Sequence, residues 1–220
     1  MQISKLKKQI PFKVFEYLEK RKFKELRPCQ YKAIQAGLFK DNNLLVCTPT
    51  ASGKTLVAEL AALNALYHDL GKVIYVVPLR ALAQEKVRDF KRGYPDLKIV
   101  LTSGDRDSDD SYLERFDWIV TTSEKLDSLL RHRAAWLQSI KVVVVDEVHL
   151  LNDASRGPTL EVLITLLRQL LPKLQIVALS ATIGNPDELA SWLGANLVMD
   201  EWRPVRLDKG IYSAGKVEFW

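Results

Sequence analysis

The sequence predicts an α/β fold with a mostly parallel, buried β-sheet and helices on both of its faces. Short segments that are apolar at every position alternate with longer segments of helical periodicity, and a Gly-Lys-Thr triplet joins the first apolar segment to the helix after it. Strands buried on both faces are apolar throughout, whereas strands with one exposed face alternate between apolar and polar residues. Helices between such strands supply the crossovers that parallel pairing needs, so we expect three layers and a doubly wound sheet.

The predicted strands are short apolar runs that end in polar or turn-forming residues. They cover residues 44–47, 73–77, 99–101, 118–120, 142–145 and 176–179. The predicted helices have apolar residues at helical spacing or a recognisable terminus, such as Pro28 in a first turn or Gly71 after a last one. They cover residues 12–24, 28–39, 54–70 and 81–91. An exposed acidic loop is predicted at residues 106–110.

Composition places the chain among globular proteins. Of its 220 residues, 47% are hydrophobic and 27% are charged, which disfavours disordered, collagen-like and coiled-coil classes. No apolar run approaches ~18 residues, and no apolar segment follows the basic N-terminus, so we expect neither a transmembrane helix nor a secretory signal. The two cysteines and three histidines form no zinc pattern, and unpaired cysteines are typical of a reducing, cytoplasmic compartment.

Charge is distributed unevenly along the chain. The net charge is +5, but the first 40 residues contain 11 Lys and Arg against 3 Asp and Glu, and the remainder contains 21 against 24. A basic N-terminal segment on a nearly neutral body indicates contact with a polyanion, with an ordinary solvated surface as the alternative.

The strongest motif lies between the first predicted strand and the long helix after it. A tight loop there presents backbone N–H groups and the positive end of a helix to phosphate oxygens. Gly53 leaves room for close backbone approach, Lys54 places a positive charge on the β- and γ-phosphates, and Thr55 offers a hydroxyl to Mg²⁺. The strict pattern begins with glycine where this chain has Thr48, and a chance strand–turn–helix is the alternative. The predicted phosphate loop consists of Thr48, Pro49, Thr50, Ala51, Ser52, Gly53, Lys54 and Thr55.

Two acidic residues follow the fully apolar 142–145 strand. Charge at the end of a buried strand is costly, and ligands bind at the carboxyl ends of parallel strands, so both acids are candidates for function. Asp146 is suited to hold Mg²⁺ through water, and Glu147 to orient and deprotonate an attacking water. With Lys54 they form the predicted catalytic set of a nucleoside-triphosphate hydrolase. The alternative is that both acids only cap the next turn.

Further blocks resemble motifs of superfamily-two DExH helicases and follow one another in that family's order. The sequence is similar to the Ski-like group and, within it, to the archaeal Hjm-type DNA helicases, over about residues 20–212. The superfamily motifs resembled are a Q-motif, motifs Ia and Ib, the DExH motif and motif III, at residues 25–30, 78–82, 121–125, 146–149 and 180–182. The finer resemblance rests on residues 50–55, 149–151, 156–161 and 200–204.

The resemblance implies a RecA-like ATP-binding domain and a role for each matching residue. Gln30 would read the adenine edge and so bind ATP together with the phosphate loop, a surface glutamine being the alternative. Arg80, Thr122 and Ser123 would contact the sugar–phosphate backbone of a single strand, with an ordinary salt bridge as the alternative for Arg80. An inert buried histidine is the alternative for His149. The residues implied to couple the two sites are His149, Ser180 and Thr182.

The resemblance also implies a partner domain. Helicases of this group hold ATP between two RecA-like domains, and the second supplies arginine fingers worth on the order of 10³–10⁵ in rate. No such arginine block follows in this sequence. We therefore expect N-terminal helices with the Q-motif over 1–40, the first motor domain over 41–200, and a linker with unpartnered strands of a truncated second domain over 201–220. Such a chain should bind nucleotide weakly and hydrolyse it barely.

The implied function is that of an ATP-dependent DNA helicase. It would use ATP and Mg²⁺ to move along single-stranded or forked DNA, unwind 3′ to 5′ and act at damaged or stalled forks, without a membrane partner. A Ski-like RNA helicase is the alternative, because phosphate contacts do not distinguish DNA from RNA. A nucleotide-dependent nucleic-acid-binding module that never unwinds is a third alternative, which the presence of Lys54 and Glu147 disfavours.

Overall fold

The centre of the molecule is a parallel β-sheet of seven strands, in a computed structural model that describes residues 2–104 and 110–219. The strands are β1 (Leu44–Cys47), β2 (Lys72–Val77), β3 (Ile99–Thr102), β4 (Trp118–Thr122), β5 (Ile140–Val145), β6 (Gln175–Ser180) and β7 (Asn196–Met199). Their order across the sheet is β3-β4-β2-β5-β6-β1-β7, and every neighbouring pair in it is parallel.

Helices cover both faces of this sheet. They are α1 (Phe12–Lys20), α2 (Pro28–Gln35), α3 (Lys54–Tyr67), α4 (Arg80–Gly93), α5 (Ser123–Arg131), α6 (Gly157–Leu170) and α7 (Pro186–Leu193). Helices α1 to α4 contribute to one apolar cluster and α5 to α7 to another. Successive strand residues go to opposite clusters, Val73 and Tyr75 to the first and Ile74 and Val76 to the second. Both faces are therefore buried, and the predicted three-layer α/β fold is confirmed.

All six predicted strands are present, with ends within two residues of the prediction. The sequence did not predict β7, which pairs with β1 at one edge of the sheet. Of its residues only Val198 is buried. An edge strand of this kind lacks the continuous apolar run that identified the central strands.

Three predicted helices end earlier than expected. Left-handed backbone follows each of them two residues after the last helical residue: Lys22 after α1, Gly37 after α2 and Asp69 after α3. A left-handed residue terminates helical hydrogen bonding. The predicted second helix continued through Gly37 to residue 39 and so missed the stop that a glycine commonly marks, whereas a lysine or an aspartate in this conformation gives little local indication in the sequence.

The predicted acidic loop at 106–110 is only partly within the described residues, because 106–109 lie outside them. For Asp110 the prediction of an exposed residue is wrong. Asp110 is 8% exposed, and its carboxylate lies 2.7 Å from the buried ammonium of Lys125. Pairing with an opposite charge makes burial of this carboxylate tolerable.

A hairpin follows the linker after residue 200. Its strands, β8 (Gly210–Ser213) and β9 (Lys216–Phe219), pair antiparallel with each other, so the expectation of strands without partners is wrong. Every residue of both strands is exposed, and neither belongs to the seven-stranded sheet. Among the helices of the described residues, none combines the length and the apolar character that a membrane span requires.

The sheet order brings the motif-bearing strand ends to one edge. Cys47 at the end of β1 is in register with Ser180 at the end of β6, and β5 lies between β6 and β2. The loop after β1, the two acids after β5 and the segment after β2 are therefore neighbours. This is the edge at which doubly wound sheets bind ligands.

Candidate active site

The phosphate loop is closed at its base by hydrogen bonds between its own residues and β6. The Thr48 backbone N–H donates to the Ser180 carbonyl at 3.3 Å, and the Thr48 and Ser52 hydroxyl oxygens lie 2.7 Å apart. Both hydroxyls are buried. Thr48, which departs from the strict glycine pattern, is thus an anchoring residue of the loop.

Gly53 is required at its position by two independent constraints. Its φ of 102° lies in the left-handed region, and a Cβ there would approach Gln30 Nε2 to 2.4 Å. Helix α3 begins at the next residue, so its first N–H groups lie at the end of the loop without partners inside the helix. The 14-residue helix gives this end the partial positive charge that attracts phosphate.

Lys54 folds over the loop toward the acid pair. Its Nζ donates to the Thr48 carbonyl at 2.7 Å and to the Pro49 carbonyl at 3.1 Å. Burial lowers the pKa of the Lys54 ammonium, while the carboxylates of Glu147 and Asp146 act in the opposite direction. The lysine of the loop and the two acids after β5 therefore share one electrostatic environment.

Gln30 is a structural neighbour of the loop rather than a surface residue, so the surface alternative is wrong. Its side chain is buried, and its Nε2 donates to the Gly53 carbonyl at 3.1 Å while its Oε1 accepts the Arg27 backbone N–H at 2.8 Å. Arg27 adds a bond from Nη1 to the Ala51 carbonyl at 2.6 Å. Among the described residues each polar end of Gln30 has one hydrogen-bond partner, and an amide can make two bonds at each end.

A cleft of about 470 Å³ adjoins the loop and the start of α3. Phe23 offers an apolar surface in it, next to Arg27 and Gln30. Further along, the cleft wall includes Glu59, which is buried and bonded to Arg21 and Tyr94. The sequence analysis did not identify Phe23, which lies two residues before the Q-motif block 25–30.

Asp146 is held by two donors. Its Oδ2 accepts the Tyr75 hydroxyl at 2.9 Å, and its Oδ1 accepts the Glu147 backbone N–H at 3.0 Å. Burial, followed by the charge of Asp146, raises the pKa of Tyr75 well above its ordinary value, so the phenol stays a donor. Lys86 of α4 lies 3.9 Å from the same oxygen and 3.3 Å from the Thr55 hydroxyl. The sequence did not predict a role at the site for either residue. Tyr75 has the pattern of a buried core residue, and Lys86 has that of a residue on the surface of a helix.

Glu147 occupies a turn and faces outward. Its φ is 54°, and its side chain is 41% exposed, in contrast to the 15% of Asp146. The His149 Nδ1 lies 3.3 Å from Glu147 Oε2. The exposed carboxylate is accessible to water, and the imidazole nitrogen lies close to it without forming a hydrogen bond.

The remaining predicted residues lie on both sides of the acid pair. Ser180 is buried at the end of β6, and Thr182 is exposed two residues later. Thr122 and Ser123 are each 6% exposed. The structure therefore brings Ser180 close to the loop but leaves Thr182 at the surface.

A side groove of about 250 Å³ lies beyond the acids, where β2 and β4 end. It is lined by Pro78, Leu79, Arg80, Gly104, Thr122, Glu124, Lys125 and Arg156. Arg80 is exposed and has no ion pair with any described residue, so the salt-bridge alternative is not supported within residues 2–104 and 110–219. A narrow space lined by Asp146, Glu147 and Ser123 shares Pro78 and Arg156 with this groove.

Comparison with known proteins places the chain among helicases. Residues 27–189 match the model of the DEAD/DEAH box helicase family. The chain is 50% identical over 209 residues to the ATP-dependent DNA helicase Hel308 of Pyrococcus abyssi, covering 94% of this chain and 29% of that protein. It is 47% identical over 220 residues to the ATP-dependent DNA helicase Hel308 of Pyrobaculum calidifontis, covering 100% of this chain and 30% of that protein.

A solved structure agrees with these sequence matches. The crystal structure of the DUF1998 helicase MrfA bound to DNA matches with a TM-score of 0.74 and 27% identity, over 87% of this chain and 30% of that one. The chain thus spans less than a third of the length of each of these proteins. The predicted resemblance to superfamily-two DNA helicases and the RecA-like fold are confirmed. Because the family model covers most of its residues, this chain belongs to the DEAD/DEAH box helicase family.

Proposed function

We propose that this chain is the ATP-binding motor domain of an ATP-dependent DNA helicase, coupling ATP hydrolysis to movement along single-stranded DNA. The observation that carries the proposal is that Lys54 of the phosphate loop shares its electrostatic environment with Asp146 and Glu147. The printed names of the relatives, which are ATP-dependent DNA helicases, support the same activity and favour DNA over RNA.

The large cleft has the chemistry of an adenine nucleotide site. The base would lie against Phe23, and Gln30 would use the second bond that each of its polar ends can make to donate and accept at the adenine edge. The phosphates would then reach the first N–H groups of α3 and the ammonium of Lys54. The whole phosphate loop, residues 48–55, takes part through its backbone.

The residues beside the loop also fit Mg²⁺. The hydroxyl of Thr55 and the carboxylate of Asp146 are hard oxygen donors, which this ion prefers. Within the described residues no group of three His, Cys, Asp or Glu could form a metal site alone, so phosphate oxygens and water molecules would supply further ligands. When bound there, Mg²⁺ neutralises charge that develops on the β- and γ-phosphates.

Glu147 is the proposed general base. Its exposed carboxylate would take a proton from the water that attacks the γ-phosphorus, and the bond to the β-phosphate oxygen breaks to give ADP and phosphate. Lys54 stabilises the charge on the transferred group. His149, whose Nδ1 lies 3.3 Å from Glu147 Oε2, is a proposed coupling residue next to this base.

The side groove is the proposed path of a DNA strand. Arg80 and Thr122 line it and would contact phosphates, with Ser123 in the narrow space behind them. Contacts to the backbone suit a motor that moves without regard to sequence. The proposed coupling residues Ser180 and Thr182 follow β6, and His149 follows the acid pair.

A second RecA-like domain is the proposed partner within the same full-length protein. The hairpin from residue 210 exposes large apolar side chains, including Ile211, Tyr212 and Phe219. Such residues are expected to pack against further protein. The linker before them is tied to this domain by Lys32, whose ammonium lies 2.8 Å from the Asp200 carboxylate. The proposed place of action is the cytoplasm, where DNA and ATP occur together.

The proposal is tested by ATP turnover in a protein extended through that second domain. The Glu147→Gln variant should lose DNA-stimulated phosphate release but still bind ATP, because the amide has the same shape and is a far weaker base. The Lys54→Ala variant should lose nucleotide binding measured by calorimetry. Glu19→Gln, on the exposed face of α1 and outside the motifs, is the matched control. Full turnover by Glu147→Gln would contradict the assignment, and equal stimulation by RNA would favour an RNA helicase.

A further inference from the structure

We propose that Lys86 is a resident cation of the phosphate site that shares its oxygen partners with Mg²⁺. This inference rests on the proposed ATP-binding function and adds a residue to it. Lys86 belongs to α4, the helix after β2, and nothing in the helicase motifs identified from the sequence assigned it a role.

The contacts of Lys86 place its charge between two predicted metal ligands. Its Nζ lies 3.3 Å from the Thr55 hydroxyl oxygen and 3.9 Å from Asp146 Oδ2. The ring centroid of Tyr75 lies 5.7 Å from the same atom, which adds a cation–π contact. The side chain is only 19% exposed, so its charge is directed into the site rather than into solvent.

The position of Lys86 also faces the proposed phosphates. Lys86 lines the 470 Å³ cleft together with Gly53 and Thr55, at the start of α3. A nucleotide whose phosphates lie on that helix end would have Lys54 on one side and Lys86 on the other. A second ammonium there attracts the phosphates even when no metal ion accompanies the nucleotide.

The same position makes Lys86 a competitor of the metal ion. The Lys86 ammonium lies 3.3 Å from the Thr55 hydroxyl and 3.9 Å from Asp146 Oδ2, and there it weakens the interaction of both oxygens with Mg²⁺. Two cations close to one carboxylate also repel each other, and a partly buried site screens this repulsion less than water does. Lys86 should therefore strengthen nucleotide binding without metal and raise the Mg²⁺ concentration that the site requires.

The test is ADP binding to the 220-residue chain by calorimetry, in EDTA and across a Mg²⁺ titration. Lys86→Met keeps the length of the side chain and removes the charge, and Lys91→Met on the exposed face of α4 is the control. We expect Lys86→Met to weaken metal-free ADP binding about tenfold, the scale of a charged hydrogen bond. We also expect its half-saturating Mg²⁺ concentration to fall several-fold. Lys86→Arg should remain close to the parent in EDTA.

Each other outcome overturns the inference in a distinguishable way. Equal loss of affinity with and without Mg²⁺ would mean that Lys86 is a simple phosphate contact or a structural residue. Unchanged binding in both conditions would mean that Lys86 has no role at the site. If the parent chain itself binds no ADP, the proposed function fails and the inference fails with it. Circular dichroism and thermal unfolding of each variant exclude misfolding as the cause.

Discussion

Removing one hydroxyl should show how far the orientation of Asp146 depends on Tyr75. The Tyr75 ring is fully buried, and its centroid lies 5.3 Å from that of Phe90 in an edge contact. The change Tyr75→Phe keeps the ring and removes only the 2.9 Å hydrogen bond to Asp146 Oδ2. A phenylalanine therefore tests the bond without opening a cavity.

The magnitude follows from the kind of bond that is lost. A hydrogen bond to a charged group contributes about 1.5–3 kcal/mol to stability. Asp146 keeps its second donor, the Glu147 N–H, and remains 15% exposed to water, so the lower part of that range applies, about 1.5–2 kcal/mol. For a domain of this size the melting temperature should fall by about 3–8 °C. Loss of orientation of a proposed metal ligand should also weaken Mg²⁺-dependent ADP binding about tenfold.

The pH dependence of this effect has a definite sign. Burial and the Asp146 carboxylate raise the pKa of Tyr75, so folding favours the protonated phenol. Its contribution is fully present below the unfolded pKa of about 10 and is lost only as the pH rises beyond that. The stability difference between parent and Tyr75→Phe should therefore be constant from about pH 6 to 9.

The assays are thermal unfolding followed by circular dichroism and ADP calorimetry with Mg²⁺. Tyr112→Phe is the matched control, because Tyr112 is exposed. A Tyr75→Phe variant with the parent's melting temperature and the parent's Mg²⁺-dependent affinity would refute the reasoning. A fall in stability without any change in Mg²⁺ dependence would refute the positioning of Asp146 alone.

Two further substitutions test the base site and the strand path. Gln30→Ala removes the bond to the Gly53 carbonyl and should lower the affinity for both ADP and GDP, measured by calorimetry. If Gln30 recognises the adenine edge, the loss of affinity should be larger for ADP than for GDP. Equal losses would leave Gln30 only a structural role. Arg80→Gln in the longer protein should weaken the binding of single-stranded DNA, measured by fluorescence anisotropy. The slope of the logarithm of the binding constant against the logarithm of the salt concentration should decrease in magnitude by about one. An unchanged slope would mean that Arg80 does not contact a phosphate.

The parts of the site that the sequence predicted are those encoded by neighbouring residues. A tight loop between a strand and a helix, and two acids after an apolar strand, are local patterns that can be recognised in the sequence without the fold. Phe23, Tyr75 and Lys86 are different, because each gains its role only when distant elements meet. Tyr75 has the same pattern as any buried strand residue until β5 places Asp146 beside it.

The sheet order itself explains why the two proposed sites can act together. From the phosphate loop to the side groove the strands run β1, β6, β5, β2, β4, which is four steps of about 4.8 Å, or about 19 Å. Asp146 and Glu147 follow β5, the middle strand of this series. The strands that carry the phosphate loop and the far side of the groove therefore each lie about 10 Å from β5. A fold with another strand order could carry the same motifs without bringing the acids between the two ligands.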